Sequence, residues 1–210
     1  MELLSPEEIR IIGALIEKEH TTPEYYPLTI NSLTNACNQK SSRNPVVSYD
    51  ETLVENTIQK LRDKRLITKV TGADQRVPKY RQAFTSHYNL TPQQTAVICI
   101  LFLRGAQTIG EIRGRSYRIY EFKDLAETEN TLEELINIDD GPFVIKLLKD
   151  TGRENRYTHL FYGEPELPKE PAKKISADDR INELEQKVNS LEEMYNSLKE
   201  DLEKFKKEFE

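Results

Sequence analysis

Glu55-Asn56-Thr57-Ile58-Gln59-Lys60-Leu61 recurs later in the chain as Glu129-Asn130-Thr131-Leu132-Glu133-Glu134-Leu135, with apolar residues at helical spacing in both copies. The repetition extends in both directions from there. Upstream stand Thr29-Ile30-Asn31-Ser32-Leu33 and Thr108-Ile109-Gly110-Glu111-Ile112, each a threonine-started segment suited to a short helix. Farther upstream, Leu4-Ser5-Pro6-Glu7-Glu8 and Leu90-Thr91-Pro92-Gln93-Gln94 share a hydroxyl N-cap, a proline at the first helical position and a Glu or Gln placed to close a capping box. The helix after the first of these carries Ile9, Ile12, Leu15 and Ile16. The helix after the second, with Val97, Ile98, Ile100, Leu101, Phe102 and Leu103, is apolar nearly all round, which predicts deeper burial.

Downstream, both copies turn to β-rich runs. Leu66-Ile67-Thr68-Lys69-Val70 returns around Lys79-Tyr80-Arg81, and Phe143-Val144-Ile145-Lys146-Leu147 returns through Tyr157-Thr158-His159-Leu160-Phe161-Tyr162. Gly72-Ala73-Asp74 and Asp150-Thr151-Gly152 supply the turns, so each pair reads as a hairpin. Helix, helix, helix, hairpin, twice in register, predicts a mainly α chain with small β-hairpins. This α+β fold consists of two tandem winged-helix domains, 1–86 and 87–163.

Three stretches then resemble the bacterial YceH-like family: Cys37-Asn38-Gln39-Lys40-Ser41-Ser42-Arg43-Asn44-Pro45-Val46, Arg104-Gly105-Ala106-Gln107-Thr108 leading to Gly110-Glu111-Ile112-Arg113 and Arg115-Ser116, and Gly152-Arg153-Glu154-Asn155-Arg156-Tyr157. The likeness covers about residues 1 to 163, and the polar loop between the second and third helices is its most specific part. An acidic residue commonly precedes the proline of that loop, where this chain has Asn44. The resemblance implies tandem winged helices and leaves the biochemical role open.

After Tyr162, Pro165, Pro168 and Pro171 among charged residues predict an extended linker over 164–176. Over 177–210, Ile181, Leu184, Val188, Leu191, Tyr195, Leu198, Leu202, Phe205 and Phe209 alternate steps of three and four, the seam of a coiled-coil helix. With Ile181 at position a, Arg180 meets Glu185, Lys187 meets Glu192 and Asp201 meets Lys206 across a parallel pair. These attractions favour a parallel homodimer. The bulk of Tyr195, Phe205 and Phe209 leaves open a helix folded back on its own chain.

Of 210 residues, 37% are apolar and 31% charged, enough for two small cores and an appendage. The formal net charge is −6, and residues 164 to 210 hold 9 Lys and Arg against 14 Asp and Glu, so the remainder is nearly neutral. No run is long and apolar enough to span a membrane, and MELLSPEEIR carries neither a basic start nor an apolar signal core; the expected location is the cytoplasm. Cys37 and Cys99 stand in apolar helical contexts without metal-ligand spacing, which points to buried thiols. His20, His87 and His159 are far apart, and no hydrolase, metalloprotease, P-loop or dinucleotide motif occurs. No enzyme, metal or cofactor is expected.

Winged helices commonly read DNA with the third helix in the major groove and the hairpin near the backbone. With Leu53, Val54, Thr57, Ile58 and Leu61 toward the core, Thr52, Asn56, Gln59 and Asp63 face outward, and an Asn or Gln amide matches adenine's donor and acceptor. Residues 40 to 81 supply ten basic side chains against five acidic ones. Lys40, Arg43, Arg76 and Lys79 are the candidate phosphate contacts beside Thr52, Asn56 and Gln59. Against double-stranded DNA stand Asp50, Glu51 and Glu55 at the start of that helix. In the second domain Glu127, Glu129, Glu133 and Glu134 make the third helix a poor DNA reader, whereas Arg113, Arg115 and Arg118, with Arg104, Tyr117 and Tyr120, offer a basic surface for a protein partner, for a nucleic-acid backbone or for the domain's own acidic helix. A dimeric regulator contacting DNA through the first domain is the leading expectation. The alternative is an interaction scaffold similar to the tandem winged-helix subunits of chromosome-segregation complexes.

Overall fold

The computed structural model describes residues 2–70, 77–147 and 154–163. Arg76, both hairpin turns, the linker at 164–176 and the heptad seam from Ile181 to Phe209 lie outside the described residues. Among those described, the chain is a mixed α+β structure of seven α-helices and two small antiparallel sheets. The first half contains α1 (Pro6–Thr21), a 3-10 turn (Pro23–Tyr25), α2 (Ile30–Cys37), α3 (Glu51–Asp63), β1 (Ile67–Val70) and β2 (Lys79–Gln82). A short α4 (Phe84–His87) leads to α5 (Pro92–Arg104), β3 (Gln107–Thr108), α6 (Ile109–Ser116), α7 (Leu125–Ile136), β4 (Val144–Leu147) and β5 (Arg156–His159).

Local chemistry sets where the helices start. Ser5 Oγ accepts from the Glu8 backbone N–H while the Glu8 carboxylate accepts from that of Ser5, and Thr91 with Gln94 repeats the exchange at α5. Thr108 and Glu111 close a third box, and Thr29, Asp50 and Asp124 cap α2, α3 and α7. Each such cap contributes about 1 kcal/mol. The capping-box side chains also reach the third helix of their own half. Glu8 binds Lys64 Nζ at the end of α3 at 3.0 Å, and Gln94 Nε2 donates to Glu134 near the end of α7, also at 3.0 Å. The repeat is thus tertiary as well as sequential.

The hairpins pair Ile67 with Gln82 and Val144 with His159 at their inner ends. Each sheet also carries something a periodicity argument cannot see. Gln107 and Thr108 form a two-residue strand on β5, with Gln107 opposite Tyr157, and the equivalent Leu28 makes a bridge to Tyr80. Both pairings fall just before a threonine N-cap, so the chain leaves the sheet and enters the second helix in one step.

Residues Met1–Pro165 form one compact unit in which α1 and α5 lie against each other. Gly13 makes the approach possible: a Cβ there would sit 3.0 Å from Phe102 Cβ and from Leu103 Cδ2. In consequence α1 is buried continuously from Glu8 to Ile16, not on a single face. Phe84 of the connecting α4 stacks edge-on against Phe102 and Phe161 at 5.3 and 5.1 Å, and Leu4 N–H donates to Phe161 O, so the halves share an aromatic layer. Burying each such ring contributes roughly 1.5–3 kcal/mol. In α3 the core stripe is Val54, Thr57, Ile58 and Leu61; Leu53, expected on the core side, is 38% exposed.

Candidate nucleic-acid interface

The outward face of α3 carries Thr52, Asn56, Gln59 and Asp63, all exposed because Val54, Ile58 and Leu61 hold the opposite stripe against the core. Asn56 makes no side-chain hydrogen bond among the described residues, so its amide is available in full. Gln59 is engaged at both ends: its Nε2 donates to Asp63 Oδ1 at 3.0 Å and its Oε1 accepts from Arg62 Nη1 at 2.8 Å. On the hairpin, Arg81 pairs with Thr68 and Lys79 with Val70, which puts the two cations on the same face of β2; Arg81 is exposed and Lys79 half-buried. Lys40 is exposed in the loop between α2 and α3.

Arg43 does not belong to this surface. Its guanidinium is fully buried and grips the Glu17 carboxylate at 2.6 and 3.0 Å. It also donates to Ala36 O at 2.8 and 3.2 Å, to Ser42 O and to Gln39 Oε1. A side chain so enclosed cannot meet a phosphate, and the expectation that placed it there is corrected. Arg43 instead pins the loop, together with Asn38, which clamps the Tyr49 backbone through both ends of its amide at 2.8 Å. Asn44 N–H donates to Leu103 O, and Arg10 Nη2 donates to Pro45 O at 2.6 Å. Asn44 itself is exposed, so the loop's acid–base pair is Glu17 with Arg43 and lies elsewhere than the residue before the proline.

Arg10 is the residue that sequence reasoning missed. It is buried with Nη1 unpartnered among the described residues, and burial together with the Arg43 charge lowers its proton affinity. The available signal was a lone arginine within the apolar run Ile9 to Ile12.

The electrostatics of α3 are bipolar. Asp50 caps the helix, Glu51 accepts from Asn31 Nδ2 at 2.8 Å, and Glu55 is exposed, so the first turns are negative. Positive charge gathers at the other end and on the hairpin, at Lys60, Arg62, Arg65, Lys69, Lys79 and Arg81. Lys64 drops out of that set because Glu8 and Glu2 neutralise it at 3.0 and 3.6 Å.

In the second half Arg115 pairs with Glu111 on its own helix at 3.1 Å and also bonds Gln107. Arg156 joins the same carboxylate at 3.3 Å. Burial would raise the Glu111 carboxyl, but the Thr108 N–H and the two guanidiniums outweigh it and hold it below its ordinary range. Arg113 donates to Lys123 O at 2.9 Å, and Arg118 is exposed with no ion pair among the described residues. Among the described residues, Glu111 partners Arg115 and a backbone carbonyl partners Arg113, no arginine of this group pairs with α7, and the exposed Glu134 of α7 accepts from Gln94.

Cys37 and Cys99 are buried, and desolvation pushes the Cys37 thiol up to about 12 and Cys99 higher still. Among the described residues no group of three or more His, Cys, Asp or Glu side chains could hold a metal ion, and no helix is long and apolar enough to cross a membrane.

A family model described as "Protein of unknown function, DUF480" matches residues 4–153, a stretch that runs from just before α1 to just before β5. A UPF0502 protein of Solibacter usitatus is 47% identical over 189 residues, covering 87% of this chain and 90% of that one. UPF0502 proteins of Vibrio campbellii and Opitutus terrae are 46% and 45% identical over 188 residues, covering 85% and 89% of this chain and 87% and 82% of theirs.

Proposed function

The chain belongs to the DUF480 family of proteins of unknown function, whose relatives are UPF0502 proteins, and from that premise we propose that it is a regulatory DNA-binding protein of YceH-like, tandem winged-helix form. Its first half meets double-stranded DNA. The observation that carries the reading is Asn56, exposed and unengaged on the outward face of the third helix, with Lys79 and Arg81 side by side on the adjoining hairpin. An Asn amide matches the N6 and N7 edge of adenine, and the hairpin cations suit phosphate. Lys40 and Thr52 complete the contact set. Gln59 enters only by exchanging its bonds to Arg62 and Asp63. The chain works in the bacterial cytoplasm without a cofactor or a catalytic step, as a parallel dimer through Ile181, Leu184, Val188, Leu191 and the seam that follows.

Fluorescence anisotropy with random duplex DNA, from low to physiological salt, tests this on wild type and on a Lys79→Ala/Arg81→Ala variant. Two lost phosphate contacts lower the slope of log affinity against log salt by about 2. No binding even at low salt refutes the reading.

One observation favours the scaffold reading: both third helices expose a leucine near their start, Leu53 on α3 and Leu125 on α7, the second 52% exposed and followed by acids. Exposed apolar side chains on an acidic helix suit a protein partner better than a phosphate backbone.

A further inference from the structure

Stretches far apart in the sequence meet at the C-terminal end of α5 and the turn after it. Asn44 N–H donates to Leu103 O at 2.9 Å, Gln107 Nε2 donates to Arg104 O at 3.2 Å and to Ala106 O at 2.8 Å, and Arg156 Nη1 donates to Ala106 O at 2.8 Å. Arg115 in turn bonds Gln107 Oε1. The turn so braced passes through Gly105 at φ +69°, and a Cβ there would meet nothing within 4 Å, so that side of the turn is open.

Arg104, the residue before that glycine, is half-buried, and its guanidinium makes no hydrogen bond or ion pair among the described residues. The carbonyls at the end of its own helix already have other donors. Its proton affinity is lowered first by burial, then by the Arg115 charge, and Arg43 adds to the effect; Glu17 and Glu111 oppose it. Both of those carboxylates are engaged. Glu17 takes Arg43 at 2.6 Å and Lys18 at 3.8 Å, and Glu111 takes Arg115 at 3.1 Å, Arg156 at 3.3 Å and the Thr108 N–H at 3.0 Å. Glu154, exposed two residues before Arg156, is not among the charges that act on Arg104. A cation drawn partly out of water among like charges is left without a counter-ion, an arrangement that an added anion stabilises.

We propose that Arg104 is the centre of a binding site for a compact oxyanion, the phosphate or carboxylate group of a small molecule, received at the open turn between α5 and β3. The guanidinium fork matches either group bidentately. Arg43 is enclosed and contributes its charge alone, and Arg115 does so from its bonds to Glu111 and Gln107. A nucleic-acid backbone is the poorer occupant. It tracks a row of free cations, whereas Arg115 and Arg156 are held by Glu111 and leave Arg104 to receive one anionic group. The inference stands apart from DNA contact by the first half.

The test is isothermal titration calorimetry of the full chain at constant ionic strength, with inorganic phosphate and succinate as the probes and chloride as the balancing ion. Saturable binding of at least one probe is expected, and which of them binds tells a phosphate site from a carboxylate site. Arg104→Gln weakens that binding roughly tenfold, the loss of a charge-assisted contact. Arg118→Gln, at an exposed cation with no ion pair among the described residues, leaves it unchanged. Arg104→Lys keeps the charge without the fork and binds with intermediate affinity; its ligand-free Tm, matched to wild type, keeps the comparison valid should Arg104→Gln fail to fold. Absence of saturable binding by either probe, binding that the Arg104 variants leave intact, or an equal loss in Arg118→Gln overturns the proposal. A DNA salt slope lowered by Arg104→Gln while neither probe binds overturns it in favour of a nucleic-acid backbone.

Discussion

Replacing Arg43 separates its two possible roles, holding the loop together or touching a phosphate. The side chain is fully buried, and Glu17 is 15% exposed. Arg43→Ala leaves that carboxylate with Lys18 alone, at 3.8 Å, and strips donors from Ala36 O and Gln39. Breaking a buried pair from one side costs about 3–5 kcal/mol, and the partial exposure of Glu17 puts the expected loss at the lower end, about 3 kcal/mol. Urea unfolding followed by circular dichroism reads this as a lower midpoint at unchanged slope. Removing both charges together, as Glu17→Leu with Arg43→Met, is expected to cost less than the two single changes summed, because neither charge is then left buried without its partner. Binding of random duplex DNA by the folded Arg43→Ala protein keeps the wild-type salt slope. A loss of stability under about 1 kcal/mol, or a salt slope lowered by one contact with stability intact, would refute the structural assignment.

His159 supplies a pH dependence. It is buried against Phe102 and Tyr162 with Nδ1 unpartnered among the described residues, and desolvation lowers its pKa to about 4. The unfolded chain binds the proton first, near the ordinary value of about 6.5. Stability is therefore full above that pH and falls as pH drops toward 4, by about 3 kcal/mol in all. His159→Phe flattens that limb of a stability-against-pH curve, and a curve unchanged by the substitution would exclude His159 as its source. Gly13→Ala places a methyl 3.0 Å from Phe102 Cβ and Leu103 Cδ2 and lowers stability by about 1–3 kcal/mol, which is visible as a lower Tm. An unchanged Tm would mean that α1 and α5 can part without cost.

Much of the fold was legible because its signals are local. The Ser5 and Thr91 capping boxes, the threonines before α2 and α6, and the β-rich runs around Tyr80 and Tyr157 act within a few residues of themselves, and repetition doubled each signal. Other features depended on distant partners. β3 is two residues long and exists only because β5 lies alongside; its counterpart at Leu28 exists because of Tyr80. Helical spacing put both Leu53 and Val54 toward the core, and only the folded structure shows that Val54 is buried while Leu53 is 38% exposed. The second buried side of α1 follows from contact with α5, which no pattern inside α1 announces.

The candidate site divides the same way. Thr52 and Asn56 face outward because helical period alone puts them opposite Ile58 and Leu61. The destination of Arg43 was not legible. A long cation in a polar loop reads as a surface charge until the carboxylate that captures it, Glu17 on another helix, is brought beside it. The sequence by itself determined the order of the elements, their caps and their amphipathic faces, since these arise between residues one or two turns apart. Only the tertiary structure decided which charges are surface and which are core, because burial and ion pairing depend on neighbours that folding brings together.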